Sequence, residues 1–174
     1  MKKSVTAFAV LALLVLAVLV QSASGAAPNG PPVKVDGRGG ITWVGGDSTI
    51  YDADFMLHAV QHDPETGAAS GTIYARIWPR GAPESARWWR VDVTHLFAGG
   101  SGGFGVAGVI AKTNSPAGGT GEVGDALAIV GSAAAESGDS VFIHILPYLE
   151  DALGAARGGA IGSASLTWGG VTIR

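Results

Sequence analysis

The chain contains no cysteine. Disulfides, thiol catalysis, cysteine-based zinc sites and lipoprotein acylation are thereby excluded, and stability has to come from a packed core. A basic excess is also missing. Without Lys2 and Lys3 the formal net charge falls from −3 to −5, so nothing remains to neutralise a phosphate backbone or an anionic membrane surface. Nucleic acid is not an expected partner, and neither is a membrane once the leader is removed. No apolar run reaches the ~20 residues that span a bilayer. EF-hand loops, calcium-binding nonapeptide repeats and any βαβ alternation are absent as well, so no cofactor is expected.

What the chain does have begins at its N-terminus. Lys2 and Lys3 precede an apolar stretch from Val5 to Val20, interrupted only by Thr6. Ser22-Ala23-Ser24-Gly25-Ala26-Ala27 follows. A charged start, an apolar middle and a small-residue zone make a secretory signal peptide, with cleavage expected after Gly25 or Ala26. The chain therefore divides into a signal peptide (1–26), a proline-rich leader (27–32) and a single domain (33–174). Export places that domain outside the cell, or in the periplasm if the cell has an outer membrane. About 148 residues remain, enough for one domain to bury its apolar surface without covalent staples.

From Val33 onward, short apolar stretches alternate with glycine-rich punctuation, including seven Gly-Gly doublets. Expected strands are 33–44, 50–61, 69–78, 87–97, 103–112, 125–131, 139–147 and 160–174, the last with a bend at Gly169-Gly170. Period-two alternation sets Phe55, Leu57 and Ala59 on one face. It opposes Ile73, Ala75 and Ile77 to Thr72, Tyr74 and Arg76, and Trp89, Val91 and Val93 to Arg90, Asp92 and Thr94. That pattern marks half-buried antiparallel strands. Asp63-Pro64-Glu65-Thr66-Gly67 and Ser137-Gly138-Asp139 read as turns, and 148–157 as one short helix ended by Gly158-Gly159. The expected fold is all-β, a single antiparallel domain of about eight strands. A β-barrel is preferred over a β-sandwich, because Ile41-Thr42-Trp43-Val44-Gly45-Gly46 and Leu166-Thr167-Trp168-Gly169-Gly170 could lie side by side as first and last strands and remove the exposed edges.

Several blocks recur in a fixed order: Gly37-Arg38-Gly39-Gly40, the hairpin His62 to Gly71, Ala107-Gly108-Val109, Ser137-Gly138-Asp139-Ser140-Val141-Phe142-Ile143, and Gly169-Gly170-Val171-Thr172-Ile173. This order resembles a family of small secreted bacterial glycine-rich β-proteins of unknown function. The resemblance implies a secreted β-fold and brings no catalytic residues.

Four groups of residues could carry chemistry. Gly99-x-Ser101-x-Gly103 has the spacing of a nucleophile elbow, with Asp125 or Asp139 and then His144 in triad order; Gly100-x-Gly102-x-x-Gly105 has that of a dinucleotide loop. Both need a helix next, whereas Phe104 to Lys112 reads as a strand. Among His58, His62, His95 and His144, four strand residues separate His58 from His62 by about 13 Å, too far to share a metal without a bend, so a metal site would need His95 or His144 on neighbouring strands plus an Asp. Asp52 and Asp54 share a strand face, and Asp36 and Asp47 lie in glycine-rich segments. They suit calcium or a glycosidase pair by residue type only. Trp78, Arg87, Trp88, Trp89 and Arg90 form the most unusual cluster. Adjacent strand residues point oppositely, so one of Trp88 and Trp89 belongs to the core. The other is free to stack on a sugar or a protein partner.

The expected function is a secreted, non-enzymatic β-domain that binds a ligand, glycan or protein partner. The alternative is a secreted hydrolase using Ser101 or a carboxylate pair. Export carries its own test: N-terminal sequencing of the secreted protein should begin at Ala26 or Ala27, and a secreted chain still starting at Met1 contradicts it.

Overall fold

Alternation of side chains governs the architecture. A computed structural model describes residues 32–99, 102–133, 139–158 and 164–174. Eight strands form: β1 (Lys34–Val44), β2 (Ile50–Gln61), β3 (Ala69–Pro79), β4 (Arg87–Ala98), β5 (Gly103–Thr113), β6 (Ala126–Ser132), β7 (Ser140–Leu146) and β8 (Ala164–Ile173). A 3₁₀ turn, Pro83–Ser85, precedes β4, and one α-helix, α1 (Leu149–Gly158), lies between β7 and β8. The signal peptide, the leader up to Pro31, Ser101, the Ser137-Gly138 turn and residues 160–163 of the last expected strand lie outside the described residues.

Each strand pairs antiparallel with the next, and β1 pairs with β8, so the sheet closes into a barrel in simple sequence order. The expected in-facing sets all point inward. Phe55, Leu57, Ala59, Ile73, Ala75, Trp89, Val91 and Val93 are buried, together with Leu96, Phe104, Val106, Ile110, Leu127, Ile129 and Val141. An eight-stranded barrel has just enough interior for its own side chains, and this one fills it with them. Outward positions on β1 to β4 include Asp36, Arg38, Asp52, Asp54, His58, Arg76, Arg90 and Asp92, none of them buried. Apolar inside and charged outside is the reverse of a membrane-spanning barrel.

The two ladders of β8 differ. Toward β1 it runs from Val35↔Ile173 to Ile41↔Leu166, with one bulge between Gly40 and Ile41. The strand continues through Gly169-Gly170 instead of breaking at the expected bend; Gly169 takes up the distortion with φ 91°. Toward β7, among the described residues, Ser140↔Ser165 and Val141↔Ala164 pair. Asp139 adds to this seam: its carbonyl accepts the Leu166 N–H at 3.1 Å, and its carboxylate accepts the Val171 N–H at 2.6 Å.

Helix α1 packs on the outside of the barrel. Glu150 and Asp151 sit in its first turn and Arg157 in its last, matching the helix dipole at both ends. Ala152 and Ala156 pack on Ala107, Ala126, Ala128 and Val130. These strand positions are small because the helix backbone comes close. At Gly105, a Cβ would strike the Ala156 carbonyl. Gly105→Ala should therefore cost about 1–3 kcal/mol by overpacking, read as a lowered urea midpoint, whereas Gly154→Ala, inside the helix and meeting open space, should gain up to about 1 kcal/mol and move the midpoint the other way.

Candidate functional site

The residues singled out in the sequence divide between two faces. Trp89 is 3% exposed and Trp88 40% exposed. The barrel thus buries the first ring and leaves the second outside, as adjacent strand residues require. Arg87 shares the inward parity of Trp89, and Arg90 the outward parity of Trp88. The five-residue cluster is therefore two half-sites on opposite sides of one wall.

On the outer face the strand registers line residues up in rows. One row reads Trp168, Gly40, Asp54, Arg76, Trp88 across β8, β1, β2, β3 and β4. The next reads Gly170, Arg38, Met56, Tyr74, Arg90. Four interstrand spacings make each row about 19 Å long. Trp168 is 55% exposed, Met56 58% and Tyr74 49%. Gly40 makes this arrangement possible: a Cβ there would overlap the Trp168 indole, so the ring lies down over bare backbone. Between the two indoles, Arg76 donates from Nε (3.3 Å) and Nη2 (2.8 Å) to the two carboxylate oxygens of Asp54. Its guanidinium also lies 4.7 Å from the centre of the Trp78 ring, a cation–π contact. The resulting depression has a volume of about 460 Å³ and is lined by Arg38, Met56, Tyr74, Arg76, Trp88 and Trp168.

The carboxylates considered as metal ligands or catalysts are engaged. Arg80 holds Asp52 at 2.7 Å and 3.1 Å. With help from the Thr42 hydroxyl, it keeps the Asp52 carboxyl below its ordinary value. An acid held ionised in this way cannot supply a proton as general acid. Asp36 meets His58 at 2.6 Å, and Asp47 accepts the Thr49 N–H of its own hairpin at 3.0 Å. Among the described residues no three His, Asp or Glu side chains are placed to hold a metal. The strand β5 begins at Gly103, where both glycine patterns need a helix. His144 lies against Phe142 on the side of β7 that faces α1; burial lowers its pKa, and its Nε2 has no hydrogen-bond partner among the described residues.

Arg38, Met56, Tyr74, Arg76 and Trp168 belong to the outer site but were not among the sequence candidates, whereas Asp54 was one as a metal ligand or glycosidase carboxylate. Met56 and Tyr74 had a readable signal, as bulky apolar residues at outward positions of otherwise alternating strands. Trp168 had none, because its place depends on which strand closes the barrel. No family model matches the chain, and no curated protein or solved structure matches it.

Single substitutions separate the two faces. Trp89→Ala should cost about 3–5 kcal/mol of stability and also free the Gly121 carbonyl that its Nε1–H reaches at 2.9 Å. Trp88→Ala, on the open side, should cost under about 1 kcal/mol. Equal losses in chemical denaturation would make both rings structural.

Proposed function

We propose that the protein is an exported, non-enzymatic binding module whose outer face, from β8 through β1 to β4, takes a glycan. The observation that carries the reading is the row of two exposed indoles, Trp88 and Trp168, set on a rigid sheet with the Asp54–Arg76 pair between them. Indole faces stack on the C–H faces of sugar rings, while carboxylate and guanidinium edges exchange hydrogen bonds with hydroxyls. A row of about 19 Å spans several sugar units, which suits a chain better than a single sugar. Arg38 makes no ion pair among the described residues, so a sugar acid would find a free cation beside Met56. The charged outer wall and the apolar interior favour a protein that works in water.

Met56, central in its row and more exposed than Trp88, Tyr74 or Trp168, favours a second reading, a protein partner, since methionine and aromatic residues concentrate at the centres of interfaces. Native affinity electrophoresis through gels containing neutral or uronic-acid polysaccharides tests the first. Retardation should fall roughly two- to tenfold for Trp88→Ala and for Trp168→Ala, in line with about 0.5–1.5 kcal/mol per aromatic contact, and survive Met56→Ala. If no polysaccharide retards the protein, or the double tryptophan variant runs like the wild type, the glycan reading fails.

A further inference from the structure

The inward half of the tryptophan–arginine cluster lies beside a second cavity at one end of the barrel, which shares Trp89 with the outer depression. This cavity, of about 710 Å³, is lined in part by Tyr51, Ile77, Arg87, Trp89, Thr120 and Ile145. That size is within the range of small-molecule sites, which favour the mouths of β-barrels. Trp89, 3% exposed, closes its inner end. The indole N–H is spent on the Gly121 carbonyl, so it offers a ligand no donor. Ile77 and Ile145 add apolar wall, and Tyr51 is held flat against Trp43 with ring centres 5.6 Å apart.

Charge distinguishes the rim from this inner end. Arg76, Arg80 and Arg90 each hold an aspartate. Arg87, exposed at the rim, holds none among the described residues. A fixed cation above a carbon-lined pit selects an organic anion with an apolar body. Depth narrows the class further. Arg87 stands two residues above Trp89, about 7 Å along the strand. That depth accommodates a flat ring system and leaves an extended acyl chain mostly in water.

We infer that the barrel mouth binds small aromatic carboxylates, with the ring between Tyr51, Ile77 and Ile145 and the carboxylate on Arg87. Isothermal titration calorimetry of the purified protein with 2-naphthoate, its neutral analogue 2-naphthalenemethanol, and palmitate is the test. Naphthoate should bind. The neutral analogue should bind about fivefold more weakly, the difference one exposed charge pair supplies. Arg87→Gln should weaken naphthoate to the level of the neutral analogue, with circular dichroism confirming the fold. Ile145→Trp, which fills the cavity, should abolish binding, whereas Trp88→Ala on the outer face should leave it unchanged. That last variant separates failure here from failure of the glycan reading. The inference is overturned if naphthoate gives no heat, if Arg87→Gln binds it as tightly as the wild type, if Trp88→Ala removes the binding, or if palmitate binds more tightly than naphthoate.

Discussion

Closure of the sheet through β1 and β8 is the constraint on which the rest depends. An open sheet of this length would expose two edges. Closing it gives β1 a second partner and fixes how far each strand is staggered around the cylinder. The β1–β8 ladder requires the two backbones to come together where β8 carries Trp168, and Gly40 supplies the space. On the opposite flank of β8, the Asp139 carboxylate reaches across from the start of β7 to the Val171 N–H.

Once the cylinder is closed, alternation assigns every strand residue to one of two environments. Adjacent residues of β4 consequently serve different ends: Arg87 and Trp89 shape the mouth, while Trp88 and Arg90 face outward. The interior cannot tolerate charge without a partner. Its single buried polar side chain among the described residues, Gln61, gives its amide N–H to the Leu96 carbonyl at 2.8 Å. The exterior handles charge by pairing it across strands, Asp52 with Arg80, Asp54 with Arg76 and Asp36 with His58. These pairs are exposed and contribute modestly to stability. Their larger effect is to hold side chains in fixed positions on a surface that also carries the exposed aromatic rings.

The helix solves a separate problem. The outer face of β5 and β6 is built from Ala107, Ala126, Ala128 and Val130, and would be an apolar patch if left bare. Ala152 and Ala156 cover it, and Arg157 reaches over Phe97, 5.0 Å from the ring centre. The barrel therefore has two kinds of exterior, one capped by α1 and one open and aromatic, with β4 contributing Phe97 to the first and Trp88 to the second.

Strand positions, the Asp63–Gly67 turn, the short helix and the opposition of Trp88 to Trp89 could all be read from the sequence. Each depends on residues within a few positions of one another: period-two alternation, proline and glycine punctuation, and the geometry of one extended backbone. The barrel was legible only through the similar words at the two ends, and half of each candidate site was not legible at all. Trp168 meets Gly40 across more than a hundred residues. Arg38, Met56 and Tyr74 share a row only because two registers agree, and the mouth exists only because β3 and β7 end, and β4 begins, at one level around Trp89. Register is set by the summed pairing of whole strands and by closure of the cylinder. No local pattern contains that information, so the sequence by itself determined which residues face in or out, and the tertiary structure decided which of them stand together.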